Sequence, residues 1–167
     1  MAGVKRQLLA AALVLSAIAA ARPARAQEVV FLVRHAERAD NSKDSPLSMS
    51  GTERAERLAA ILADAGITAI YTTEYQRTKE TAAPLGRAVH VAPVVVSAAD
   101  SDALLRKVRA SGPHDRVLVV GHSNTVPDLI RALGVAAPVA IGEAEYDNLF
   151  IVIPQPGGAP RLVRLKF

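Results

Sequence analysis

The chain has 167 residues, half of them hydrophobic and 22% charged, which suits one ordinary globular domain and excludes a disordered or fibrous protein. Lysine and arginine number 20 against 16 acids, but Lys5, Arg6, Arg22 and Arg25 all fall in the first 26 residues, where there is no acid; the remainder balances at 16 and 16. The formal +4 is therefore no argument for nucleic-acid binding, and three Tyr with three Phe offer no stacking platform for bases. With no Cys, disulfides, thiolate metal sites, cysteine nucleophiles and a lipid-modified cysteine are all excluded.

Met1 to Ala26 reads as a secretory leader. A Lys5-Arg6 start precedes an apolar run from Leu8 to Ala21 that is short for a bilayer span, and Ala24-Arg25-Ala26 supplies small residues at A-x-A cleavage positions. The expectation is a signal peptide over 1–26, a periplasmic mature domain over 27–167 and no stable membrane anchor after cleavage. The alternative is an uncleaved anchor, since Arg22 and Arg25 are unusually polar so near the cut. The mature 141 residues suffice for a core without staples.

Glu28 to Val33 is a continuous apolar run of the kind buried on both faces of a sheet, and it ends at Arg34-His35. Asp40 to Ser48 is a polar loop, after which Ser50-Gly51-Thr52-Glu53 fits a capping box and opens a helix over about 51–64. Ile67 to Thr72 predicts a second strand, and Glu74 to Ala88 a second helix that Pro84 kinks or ends early. Val89 to Val96 is extended but interrupted by Pro93, which makes it an edge strand or a strand followed by a loop. A helix over 100–110 and a buried strand over 116–120 lead to Gly121-His122-Ser123-Asn124, then to a helix over about 126–133 closed by Gly134. Tyr146 to Ile153 and Arg161 to Phe167 are strands around a Pro-Gly turn. Strands and helices alternate, so the fold class is α/β, with a mostly parallel central sheet and helices on both faces.

In such sheets ligands bind beyond the carboxyl ends of the strands, where Arg34, His35 and His122 fall. An imidazole near neutral pKa can be a nucleophile, an acid or base, or a metal ligand. The four histidines have no close metal-ligand spacing, which weakens the last role, so no metal or other cofactor is expected. Arg34 and Arg77 suit an oxyanion, because guanidinium grips phosphate oxygens through paired hydrogen bonds. Taken singly, these residues have plainer readings: a strand-end ion pair of Arg34 with Glu37 or Asp40, a helix-surface pair of Arg77 with Glu74 or Glu80, a core histidine at 122, exposed loop histidines at 90 and 114.

Four segments in register change that balance. Arg34-His35-Ala36-Glu37, then Pro46-Leu47-Ser48 with Gly51, then Tyr71-Thr72-Thr73-Glu74 with Arg77-Thr78-Lys79-Glu80-Thr81-Ala82, then Val119-Val120-Gly121-His122-Ser123-Asn124 resemble the histidine phosphatase superfamily, also called phosphoglycerate mutase-like, over nearly the whole mature chain. Ser123 stands where the acid-phosphatase branch has Asp, which favours the compact branch; Ala36 replaces the usual Gly. The resemblance implies a three-layer sandwich and a phosphatase in which His35 attacks phosphorus and becomes a phosphohistidine. It also implies that Arg34, Arg77, His122 and Ser123 bind the phosphoryl oxygens. Attack needs an unprotonated nitrogen on His35, which a backbone carbonyl accepting from the other ring nitrogen favours. Asp100 and Glu37 are candidate general acids, with Glu145 behind them; a good leaving group, such as phosphohistidine or aryl phosphate, would need none. The implied partner is a phosphorylated small molecule or phosphoprotein, with no nucleic acid. The alternatives are a non-catalytic phosphate-binding or phospho-ligand-binding module and a phosphoglycerate-type mutase, the latter disfavoured by an open pocket that cannot enclose its intermediate. Glu145-Tyr146-Asp147 is either an ordinary charged loop or part of the pocket rim.

Overall fold

A computed structural model of the chain describes residues 29–112 and 114–167; the leader reading, with Gln27 and Glu28, lies outside the described residues. The element order is β1 (Val29–Arg34), α1 (Met49–Leu62), β2 (Ala69–Thr72), α2 (Gln76–Ala88), β3 (Val94–Val95), α3 (Ser101–Ala110), β4 (Arg116–Gly121), α4 (Thr125–Ala132), β5 (Asn148–Gln155) and β6 (Gly158–Lys166). All strands join one six-stranded sheet in the order β3-β2-β4-β1-β5-β6. β3, β2, β4 and β1 run parallel, while β5 is antiparallel to β1 and β6 to β5. The mostly parallel sheet expected from strand and helix alternation is therefore present, with an antiparallel hairpin at one edge.

Alternation along the central strands divides the core in two. Phe31 and Val33 of β1, Leu118 and Val120 of β4 and Ile70 of β2 face α1 and α2, packing on Leu58, Leu62 and Leu85. Val30, Leu32, Val117 and Val119 face the other way, onto Val108 of α3 and Val126, Leu129 and Ile130 of α4. Helices thus cover both faces. The neighbouring strands β1 and β4 lead to helices on opposite faces, and this divergence opens a crevice at their carboxyl ends.

Several local expectations are corrected. The N-cap of α1 is Ser48, whose Oγ accepts from the Gly51 amide at 3.1 Å; no capping box starts at Ser50, because Gly51 then occupies the position where a box needs a carboxylate or amide side chain. Pro84 neither ends nor breaks α2, which continues to Ala88 with the proline ring buried among core residues. Burial of that ring offsets the lost ladder bond. β3 is only two residues long, at the sheet edge where Pro93 was expected to confine it. Pro156-Gly157 turns the β5–β6 hairpin, and Gly157 takes the positive φ of 71° that other residues avoid. No helix among the described residues is long and apolar enough to cross a membrane.

Candidate active site

His35 follows β1 and His122 follows β4, and the pairing of these two strands brings the imidazoles together with their ring centroids 5.3 Å apart, edge to face. The His35 amide donates to the Gly121 carbonyl at 2.9 Å, continuing the β1–β4 ladder by one residue. Its Nδ1 lies 2.8 Å from the Ala36 carbonyl oxygen, which can only accept, so Nδ1 carries the proton and Nε2 keeps its lone pair. The Ala36 amide in turn donates to Thr81 Oγ1 on α2 at 3.0 Å. His35 is 4% exposed. Burial, His122, Arg77 and Arg34 together pull its pKa down from 6.5 to about 3, against a smaller opposing effect of the Ala36 carbonyl. At neutral pH the ring is an uncharged base.

His122 is held differently. Its Nε2 lies 3.1 Å from Thr73 Oγ1, which is 2.9 Å from Thr78 Oγ1, and the Thr78 hydroxyl reaches the Tyr75 carbonyl at 2.8 Å. The His122 amide donates to Thr125 Oγ1 at 2.9 Å, at the start of α4. A side chain at Gly121 would meet that same oxygen at 2.9 Å and Val126 at 3.1 Å, so the strand-to-helix turn is closed too tightly for a Cβ. Burial and the nearby Arg77 and Arg34 lower the His122 pKa to about 4, against the raising effect of Glu74.

The two arginines complete the crevice. Arg34 sends Nη1 to the carbonyls of Gly142, Glu143 and Glu145 at 2.9, 2.8 and 3.3 Å, with the Tyr146 ring 4.0 Å from its guanidinium carbon. Arg77 donates from Nη1 to the Lys43 carbonyl at 2.9 Å and lies 4.3 Å over the Tyr75 ring. In both, Nε is buried with no hydrogen-bond partner among the described residues. Desolvation lowers the pKa of each guanidinium, yet each remains charged. Two cations with spare buried donors beside two neutral imidazoles fit an anion.

The loop after His35 is built to hold this arrangement. Arg38 bridges Leu47, Ala39 donates to Pro46 and the Ser48 amide to Glu37, while the Leu47 amide donates to Glu80 Oε2 at 2.7 Å. Asp44 accepts from the Gln76 amide at 2.7 Å and so caps α2 from outside, since the N-cap residue Tyr75 has no capping side chain. The same loop thereby places Arg77.

The sequence-expected residues separate into two groups. His35, His122, Arg34 and Arg77 converge. Ser123 is half-buried in the turn next to His122, and Asn124, at the N-cap position of α4, makes no side-chain cap. Glu37 is bidentate to Arg54 at 2.6 to 3.0 Å, with its pKa lowered by that bond against the effect of burial. Asp100 caps α3, accepting from the Ala103 amide at 2.8 Å. Glu145 accepts from Gly142 and pairs with Arg164 and Lys166 of β6. All three carboxylates are occupied as hydrogen-bond acceptors. Thr73, Tyr75 and Thr81 are not among the sequence-expected site residues, and the one signal for them is the helical spacing of the buried Thr78 and Thr81 on the inner face of α2; Tyr146, expected in an ordinary loop or at the pocket rim, lies beside Arg34 and His35. His90 and His114 are exposed, as their loop settings suggested.

A cavity of about 390 Å³, lined by Glu37, Arg38, Ala39, Asp40, Asn41 and Tyr146, adjoins this crevice through Tyr146, whose ring is 6.1 Å from that of His35. A more voluminous one of about 630 Å³ lies between α2 and β3, is lined in part by His90, and touches none of His35, His122, Arg34 and Arg77.

Residues 30–99 match the family described as the histidine phosphatase superfamily (branch 1). Among solved structures, the chain is similar to a protein assigned as the phosphohistidine phosphatase SixA of Agrobacterium tumefaciens. The two are 23% identical, with a TM-score of 0.64, over 83% of this chain and 98% of that one. It is also similar to the mycobacterial glucosyl-3-phosphoglycerate phosphatase (16%, TM-score 0.65, 83% and 97%) and to the protein histidine phosphatase SixA solved with tungstate (19%, TM-score 0.64, 83% and 96%). At these identities the likeness is one of fold. No curated protein sequence matches the chain.

Proposed function

We propose, from the match of residues 30–99 to the histidine phosphatase superfamily and from the geometry of the crevice, that the chain is a member of that superfamily and hydrolyses phosphate monoesters or phosphorylated side chains through a phosphohistidine on His35. One observation carries the reading. The Ala36 carbonyl fixes the proton on Nδ1, so a buried imidazole presents a bare Nε2 beside two guanidinium groups with unused donors.

In the first step the Nε2 lone pair attacks phosphorus, the P–N bond forms as the P–O or P–N bond to the leaving group breaks, and the leaving atom takes up a proton. In the second, water attacks phosphorus, the P–N bond to His35 breaks and inorganic phosphate departs. Arg34 and Arg77 neutralise the equatorial oxygens, which is most of the catalytic work in a loose transition state. His122 is neutral in the empty pocket, chiefly through burial and then through Arg77 and Arg34; a bound dianion counters the repulsion from those two cations and raises its pKa. It is then the proton donor for the first step and the acceptor for water's proton in the second. Glu37 and Glu74 have lowered pKa values, the first through Arg54 and the second through the Ala98 amide, so both are ionised and neither supplies that proton. The proton for the leaving atom therefore comes from His122, and leaving groups that need little acid assistance, such as phosphohistidine and aryl phosphates, depend on it least.

Export to the periplasm belongs to the same proposal and rests on the layout of residues 1–26 alone. The test is hydrolysis of an aryl phosphate by residues 27–167, with and without a chelator, beside His35→Ala. Turnover that survives chelation and is lost in the variant supports the reading. Phosphate binding without turnover would favour a binding module.

A further inference from the structure

We propose that the cavity between α2 and β3 binds a medium-chain carboxylate, its head on Lys79 and the Thr72 hydroxyl and its chain between the apolar walls that Ala83 and Pro93 form. This goes beyond the phosphatase reading and does not depend on it.

At about 630 Å³ the cavity suits a small molecule, and its chemistry is one-sided. Ala83, Gly86, Val91, Pro93 and Val95 make its walls apolar, its ionisable side chains are Lys79, Arg87 and His90, and no carboxylate lines it. Lys79, Ala83, Gly86 and His90 recur at helical spacing on one face, so an apolar stretch separates Lys79, near the start of α2, from Arg87 and His90 around its end. Lys79 and Arg87 are two turns apart, about 12 Å along the helix axis, a length that suits octanoate. Thr72 belongs to the Lys79 end, because it is the last residue of β2 and α2 starts from the turn that follows.

Two groups at that end lack partners. The Thr72 side chain is 3% exposed, and its Oγ1 has no hydrogen-bond partner among the described residues. The Thr72 carbonyl is satisfied by the Val96 amide at 2.9 Å, so the deficit lies in the side chain, and a buried hydroxyl left unpaired is costly unless something supplies the bond. No carboxylate lies within ion-pair distance of Lys79 among the described residues. Asp44, on which its charge acts from further away, is held by the Gln76 amide and side chain through its two oxygens. At the other end Arg87 is answered by Glu56 at 3.4 Å. The unanswered charge and the unpaired hydroxyl therefore share one end, and an ammonium with a hydroxyl can donate to both oxygens of a carboxylate. A peptide strand is the poorer occupant, since β3 pairs over two residues and Pro93 before it has no amide proton, which leaves little ladder for an added strand.

The test is titration calorimetry of the protein with octanoate and with octanamide, which has nearly the same shape but no charge. Octanoate should bind at one site with a Kd of about 1 mM or tighter, octanamide about fivefold or more weakly, and each methylene added from hexanoate to decanoate should tighten binding about threefold. Millimolar inorganic phosphate, which occupies the catalytic crevice, should leave these values unchanged. Thr72→Val and Lys79→Gln should each weaken octanoate about fivefold and change octanamide little in the second case. Thr72→Val exchanges an unpaired hydroxyl for a methyl group, so it should unfold at no lower urea concentration than the native protein, which separates lost binding from lost fold. Ala83→Leu, which fills the cavity, should abolish binding of both compounds. No saturable heat, equal affinities for acid and amide, or an octanoate affinity unchanged in both Thr72→Val and Lys79→Gln would overturn the proposal. So would displacement of octanoate by phosphate, which would put it in the crevice, or a dimer that Ala83→Leu dissociates, which would give this face to a second copy. No readout depends on turnover, so these failures are distinct from failure of the phosphatase reading.

Discussion

Lowering the pH from 7 to 5 should destabilise this protein through two side chains in the crevice. In the unfolded chain both His35 and His122 titrate near 6.5, whereas in the folded protein they titrate near 3 and 4. Above pH 6.5 they are neutral in both states and contribute nothing to the pH dependence. Below it the unfolded state binds protons that the folded state refuses, so stability falls with pH until the folded pKa values are reached. At pH 5 the loss is about 2 kcal/mol for each ring and about 4 kcal/mol together, a large share of a typical folding free energy. The carboxylates with lowered pKa values, such as Glu37, are ionised in both states down to about pH 5, and their own loss of stability comes at lower pH. Urea unfolding at the two pH values, on the native protein and on His35→Gln and His122→Gln, isolates the effect. Each substitution should remove about 2 kcal/mol of the difference between pH 7 and pH 5. Millimolar inorganic phosphate should also shrink it, because a bound anion favours the charged rings. A native pH dependence equal to that of the two variants, or stability that rises on acidification, would show that the two rings are not held neutral by the fold.

Removing the guanidinium in Arg77→Ala should lower kcat on an aryl phosphate about a hundredfold or more, as loss of one preorganised donor to the transition state does; steady-state kinetics decide it, and a loss under about tenfold would speak against its role. Thr81→Val keeps the shape of α2 but strips the acceptor from the Ala36 amide, whose carbonyl holds His35. Denaturant unfolding should show a cost of about 1–3 kcal/mol, accompanied by a fall in kcat. Gly51→Ala would place a Cβ 2.2 Å from the Glu37 carbonyl oxygen, so α1 cannot keep its distance from the loop after His35. About 3 kcal/mol or more of stability should be lost by the same assay, and a change within about 0.5 kcal/mol would show that the loop yields.

The buried strands were legible because their apolar runs end abruptly at the polar residues that carry the chemistry. β1 stops at Arg34-His35 and β4 at Gly121-His122, and a parallel pairing of the two is enough to bring the histidines together. The expected carbonyl partner of His35 is there as well, in Ala36. What the sequence hid was mostly long-range side-chain bonding. Asp44 caps a helix 32 residues away, Glu80 holds the Leu47 amide 33 residues before it, and Arg34 ties down a loop more than 100 residues later. No local pattern announces such pairs. Thr73 follows the predicted strand with no local mark of a site residue, and its bond to His122 exists only because β2 lies beside β4. Asp100 reads from sequence as a candidate acid, but its place just before Ser101-Asp102 is also that of a helix cap, the role it has in the fold.

The proposed reaction turns on a covalent bond between His35 and phosphorus. The most direct measurement is rapid quench of the protein during turnover of an aryl phosphate, under alkaline conditions that preserve phosphoramidates, followed by mass spectrometry of the peptide containing residues 34–38. That peptide should gain one HPO₃, labile to acid and located on the imidazole, at a level that rises and decays within one turnover, and His35→Ala should show neither label nor turnover. Steady turnover with an unlabelled His35, or a label on another residue, would contradict a phosphohistidine on His35.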